Sequence, residues 1–163
     1  MLEIADTDLR ETLAAALAVE RWVDDVASAA PFADLEALLA VAEEAASPLS
    51  DAEVDEAMAH HPRIGVRPLG ETVSAGLSRS EQSAPDEHDA ALALALAEGN
   101  RAYEQRFDRV FLIRAAGRTR AEIVAELHRR LELDPDTERA IVGEQLREIA
   151  LLRLRTLLGS VAA

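Results

Sequence analysis

The chain has no cysteine, which excludes a disulfide framework, a thiolate nucleophile and a sulfur-rich metal site. Aromatic residues are scarce, one Trp, one Tyr and three Phe in 163 residues, and β-branched residues are few beside the abundant Ala and Leu. Ala and Leu lose little rotamer freedom in a helix, so this composition points away from sheets and toward an all-α fold. Basic residues are also short. With 17 Lys and Arg against 31 Asp and Glu, the formal charge is −14. A nucleic-acid partner is thereby excluded, because a phosphate backbone needs a basic stripe to displace its counterions. Any anionic ligand must find a local positive group. No apolar run approaches membrane-spanning length. The start, Met1 to Asp6, lacks the basic and apolar regions of a secretory signal, and Ser160 to Ala163 is not a peroxisomal address. The expectation is a soluble, cytoplasmic protein without membrane contact.

The simplest organisation is one compact domain over residues 1–163, of about eight helices around a single core. Thr7 or Asp8 is placed to cap a first helix running to Ala18, and a second runs from Glu20 to Ala30, stopped by Pro31. A third follows Asp34, with Leu35, Leu38, Leu39 and Ala42 at helical spacing, and stops at Ser47-Pro48. Ser50-Asp51-Ala52-Glu53 has the form of a capping box and opens a fourth helix, which must end near His60 because Pro62 disfavours helical geometry before it. Gly65 to Leu77, with Gly65, Pro68, Gly70 and Gly76, reads as a loop. Ser78-Arg79-Ser80-Glu81 has the spacing of a second capping box, opening a short helix that is interrupted near Pro85 or continues through it. Asp86 to Phe107 is a long helix with Leu92, Leu96, Gly99, Tyr103 and Phe107 along one side. Val110 to Ile113 is a compact apolar run, strand-like or simply extended, leading into a turn at Arg114 to Gly117. Thr119 and Glu122 form a further box, and Asp134-Pro135 opens a last helix to Leu158.

The stretch from His60-His61-Pro62-Arg63-Ile64-Gly65 to Ser78-Arg79-Ser80-Glu81-Gln82 concentrates two of the four histidines and three of the seven glycines. A His before Pro at a helix end holds an imidazole near loop backbone, with a pKa within reach of neutrality. Gln82 adds an amide able to donate and accept. On the final helix, Val142, Leu146, Ile149, Arg153 and Leu157 share a face, so Arg153 places a guanidinium in an apolar stripe. A charge there needs a partner: Glu81, another acid of the protein, or an anionic ligand. Arg155, one step round, aligns with Glu148 and reads as solvated. No His-Glu-x-x-His, Gly-rich phosphate loop or Gly-x-Ser-x-Gly elbow is present. An acid–base site without metal or cofactor is the simplest enzymatic reading, and a helical binding or adaptor module is the alternative.

Several segments, in order, resemble one family. His61-Pro62-Arg63-Ile64-Gly65, Ser78-x-x-Glu81-Gln82, Asn100-x-x-Tyr103-Glu104-x-x-Phe107, Phe111-Leu112-Ile113 and Gly117-Arg118-Thr119 are similar to 2-oxo-4-hydroxy-4-carboxy-5-ureidoimidazoline (OHCU) decarboxylases. Trp22-Val23 with Pro31-Phe32, and Glu148-Ile149-Ala150-x-x-Arg153-Leu154, extend the similarity over nearly the whole chain. One departure is Phe107-Asp108-Arg109, where the family has Gly in the middle position; Asp tolerates a left-handed conformation there. The resemblance implies an all-helical, cofactor-independent carboxy-lyase of urate degradation, often a homodimer, acting after urate oxidase and hydroxyisourate hydrolase and giving (S)-allantoin. It assigns His61 to proton transfer with Glu81 beside it. Pro62, Ser78 and Gln82 line the pocket, backbone of Ile113, Ala115 and Gly117 contacts the substrate, and Arg153 meets its carboxylate or a ring oxygen. No metal is implied.

Overall fold

The computed structural model describes residues 1–66, 70 and 72–159. Among these it contains eight helices and no strand: α1 (Asp6–Ala16), α2 (Glu20–Ser28), α3 (Leu35–Ala45), α4 (Asp51–Met58), α5 (Val73–Glu81), α6 (Ala90–Phe107), α7 (Arg120–Leu131) and α8 (Pro135–Leu158). Pro68 and Ser160 to Ala163 lie outside the described residues. Among the described residues, no helix is long and apolar enough to cross a membrane. The chain divides into two compact units, one of Met1–His60 with α8 from Gly143 onward, the other of His61–Val142.

In the first unit α1 packs on α2 and α2 on α3. Leu9, Leu13, Trp22, Val26, Leu38, Ala42 and Val54 are buried there, as are Leu146, Ile149 and Leu154 of α8. The one polar atom of the Trp22 ring is satisfied, Nε1 donating to the Ala42 carbonyl at 2.9 Å. Asp34 caps α3 by accepting from the Ala37 N–H, and Ser50 with Glu53 forms the expected box at α4. The first helix starts earlier than its sequence suggests. Ala5 is its N-cap, without a side-chain bond, and Thr7 and Asp8 fall inside the first turn. Asp6 and Asp8 there favour the positive end of the helix dipole. Arg155 is exposed as expected, but its ion pair, at 2.6 Å, is with Glu36 of α3.

In the second unit α6 packs on α7. The core is one apolar cluster that includes Ile64, Leu96, Tyr103, Phe107, Phe111, Ile113, Ala115, Ile123, Val124 and Leu127. Close approach of the two helices needs Gly99, where a Cβ would stand 2.4 Å from Leu127 Cδ2. Tyr103 meets the Phe111 ring edge-on, centroids 5.2 Å apart. Val110 to Ile113 forms neither strand nor helix. Asp108 ends α6 in the left-handed region, φ 55° and ψ 35°, its N–H bonded to the Glu104 carbonyl. Helix α6 begins at Ala90, four residues later than expected, because Asp89 caps it and Asp86 is engaged elsewhere.

The largest departure concerns the stretch read as a loop. Thr72 caps a helix whose first residue is Val73, so Gly76 lies within α5. Ser78 and Glu81 are therefore not a capping box. A box needs the free N–H groups of a first turn, whereas Ser78 is inside α5 and Glu81 is its last residue.

Candidate active site

Helix α4 ends at Met58, and His61 and Pro62 follow in half-buried, irregular backbone. Three contacts hold the segment that continues from them. The buried Ile64 side chain enters the apolar cluster, and its carbonyl accepts from Asn100 Nδ2 at 2.8 Å. Gly65 takes φ +89°, with Leu96 Cδ2 only 3.0 Å from where a Cβ would stand, and its N–H donates to Gln82 Oε1 at 3.1 Å. Arg63 makes a forked pair with Glu104, Nε to Oε1 at 2.7 Å and Nη2 to Oε2 at 2.6 Å, and this carboxylate holds the Arg63 pKa above its ordinary value.

Ser78, Glu81 and Gln82 are spaced three and four residues apart along α5, which places them on one side of the helix. Ser78 is buried, Glu81 and Gln82 are half-buried, and the Gln82 N–H closes the helix on the Ser78 carbonyl at 3.2 Å. Gln82 is thus the residue that ties α5, with Glu81, to the segment after His61. Ile113 and Ala115 are buried in the same cluster as Ile64, while Gly117 is exposed in a turn at φ +78°. Arg153 belongs to the first unit. It is buried, and its Nη1 donates to the Ala15 carbonyl at 3.4 Å. His61 and the α5 residues Glu81 and Gln82 thus lie on two segments that the Gly65–Gln82 bond joins, residue types suited to proton transfer and to orienting a planar polar ligand.

The residues that build this neighbourhood include several the sequence does not mark. Asp86 accepts from the backbone N–H groups of Arg120 at 2.6 Å and Ala121 at 3.1 Å, and these bonds, Arg120 first, hold its carboxyl below the ordinary range. Arg120, the first residue of α7, is buried, although a position after a capping Thr normally faces water. A cleft of about 450 Å³ opens beside Gln82, between Arg79, Ser83, Glu87 and Arg120. A smaller one of about 200 Å³ lies beside it, where Ile64, Leu96, Asn100 and Arg120 form part of the wall. Of these, Asn100 had a signal in the sequence as the first member of the Asn-x-x-Tyr pattern, whereas Ser83, Glu87 and Arg120 had none.

The sequence pattern that defines OHCU decarboxylase matches residues 3–155. The chain belongs to the OHCU decarboxylase family. It is 38% identical over 110 residues to the uric acid degradation bifunctional protein TTL of Arabidopsis thaliana, a match covering 66% of this chain and 34% of that protein. The match thus spans about a third of this curated relative's length. Among solved structures, an OHCU decarboxylase crystallised in the presence of (S)-allantoin superposes with a TM-score of 0.77 at 26% identity, covering 91% of this chain and 98% of that one. An (S)-allantoin synthase shares the fold, TM-score 0.66 at 16% identity, over 95% of this chain and 51% of its own. The family match contains the segments that carry His61, Glu81, Gln82, Ile113 and Arg153, and the family's all-helical architecture is the one observed.

Proposed function

We infer that this chain decarboxylates OHCU to (S)-allantoin in urate degradation, without metal or cofactor. The observation that carries the reading is the Gly65 to Gln82 hydrogen bond. It joins the segment after His61-Pro62 to the end of the helix that bears Ser78 and Glu81. Within the reading, the bond from the ring carbon to the carboxylate breaks, CO₂ leaves, and the electron pair enters the conjugated ring. One proton then completes the product at the adjacent ureido-bearing carbon, while the carbon that lost CO₂ becomes the ring carbonyl as its hydroxyl proton leaves. Glu81 orients the His61 imidazole and favours its protonated form. His61 either takes the ring-hydroxyl proton as CO₂ leaves or delivers the proton that fixes the (S) centre. Pro62 and Ser78 shape the pocket, Gln82 and backbone at Ile113, Ala115 and Gly117 hold the planar substrate, and Arg153 meets its carboxylate or ring oxygen. Fixed donors of this kind stabilise developing charge best where water is excluded.

The proposal takes the 163 residues as one catalytic domain, cytoplasmic and paired as a homodimer, fed by urate oxidase and hydroxyisourate hydrolase. The test generates OHCU in place from urate with those two enzymes and follows its decay and the circular dichroism of the allantoin. Faster decay to (S)-allantoin is expected. His61→Asn and Glu81→Ala, folded as judged by their far-UV spectra, should each lose about 10² to 10⁴ in rate. Decay at the spontaneous rate to racemic product would instead favour a helical binding module. Near-normal rates in both variants would remove His61 and Glu81 from the mechanism.

A further inference from the structure

Arg120 is 8% exposed, yet its guanidinium is short of hydrogen-bond partners. Nη2 donates to the Gln82 carbonyl at 3.4 Å, the outer limit for such a bond, and Nη1 is buried with no partner. The Asp86 carboxylate attracts the Arg120 charge but spends its oxygens on the backbone N–H groups of Arg120 and Ala121, and Glu87 lies 3.5 Å from His88 Nε2. Asn100, 2% exposed, shows the opposite deficiency: its Nδ2 is bonded to Ile64, while its Oδ1 is buried with no partner. Both residues line the smaller cleft, and Gly65, Glu87 and Arg120 are common to its wall and that of the larger one. A desolvated cation and a desolvated acceptor, each short of a partner, are costly for the protein alone. Placed on one cavity wall in a strongly acidic chain, they describe a ligand.

We propose that the joined clefts at Arg120 and Asn100 are a second ligand site, for a small carboxylate with an adjacent N–H donor. The carboxylate meets the Arg120 guanidinium, aided by Arg79 across the larger cleft, and the ligand N–H donates to Asn100 Oδ1. The site uses neither His61 nor Glu81, but it borders the candidate active site through Gly65 and Gln82, which line its larger cleft.

The test is titration of the full-length protein with N-acetylglycine, followed by calorimetry and by amide and side-chain NMR. Saturable binding is expected, with the Gly65, Asn100 and Arg120 signals moving first. The neutral N-acetylglycinamide should show at least about tenfold weaker binding, as should Arg120→Gln against wild-type, with Arg120→Lys recovering part of the loss. Acetate, which lacks the N–H, should bind more weakly than N-acetylglycine. No saturation at millimolar concentration would mean that water alone bridges the two groups, and would overturn the proposal. So would shifts centred on His61 and Glu81, or equal affinity for the neutral amide. The wild-type titration decides these points even where a variant misfolds, and it is independent of any decarboxylation.

Discussion

Glu138 and Arg130 form an ion pair from which water is wholly excluded, both side chains having no exposed surface. Arg130 Nε lies 3.0 Å from each carboxylate oxygen, and Nη2 also donates to Oε1. The Tyr103 hydroxyl donates to Oε1 at 2.5 Å, Arg130 Nη1 donates to the Leu112 carbonyl at 2.6 Å, and the guanidinium stacks 4.6 Å over the Phe111 ring. This network anchors the segment that leads to Ile113 and Ala115, so the position of those residues depends on a pair outside the candidate active site.

Removing one member of such a pair strands the other. Glu138→Gln is expected to lower the unfolding free energy by about 3–5 kcal/mol, and Tyr103→Phe by about 1.5–3 kcal/mol, in urea denaturation. Replacing both Glu138 and Arg130 by apolar residues should cost less than the sum of the two single changes.

The Arg21 side chain bonds Glu53 at 2.6 Å, and this bond, with the Ser50 N–H, lowers the Glu53 pKa from 4.5 to about 2. A depressed carboxylate contributes stability above its unfolded pKa and loses it as pH falls through the folded value. Stability should therefore decline between pH 4.5 and about 2. Glu53→Gln should remove about 1–2 kcal/mol of that dependence, a range reduced because Arg21 is partly exposed. An unchanged acid limb in the variant would contradict the assignment. At the other extreme, burial first and Glu138 second push the Tyr103 phenol from 10.0 up to about 12, so stability should also fall from pH 10 toward 12.

Asn100 holds the backbone three residues after His61. Asn100→Ala leaves the Ile64 carbonyl without that donor and is expected to cost about 1–3 kcal/mol. If the segment positions His61 for catalysis, kcat should drop by roughly 10- to 10²-fold, with KM changing much less. Equal losses in kcat and in folded fraction would reduce Asn100 to a purely structural role.

Asp108 occupies the left-handed region, where Gly carries no steric penalty. Asp108→Gly should be neutral or stabilising by up to about 1 kcal/mol, and Asp108→Val destabilising by about 1–2 kcal/mol. Thermal unfolding of the three proteins in parallel would measure both. A less stable Gly variant would mean that the Asp side chain contributes more than its backbone conformation.

At the starts of α3, α4, α7 and α8, set by bonds between near neighbours, the residues alone were sufficient, whereas the equally local caps at Thr72 and Asp89 were missed. The boxes at Ser50–Glu53 and Thr119–Glu122, the cap at Asp34 and the opening at Asp134-Pro135 are all present. The periodicity of Leu96, Gly99, Tyr103 and Phe107 identified the buried side of α6, and the motif spacings pointed to the family. The same local rules misplaced Ser78 and Glu81, because the chain had already entered α5 at Thr72, six residues before Ser78. Val73 and Gly76 are weak helix formers that tertiary packing overrides. Nor does a formula confined to four residues tell an exposed Arg from a buried one. Nothing in their local sequence marks Arg130, Glu138 or Arg120 as buried, and Arg155, which aligns with Glu148 along its helix, pairs instead with Glu36. Capping and periodicity are settled within a turn or two of helix, so they are written in the sequence. The burial of a charge, and the partner that compensates it, depend on residues brought together from distant parts of the chain, and only the tertiary structure decides them.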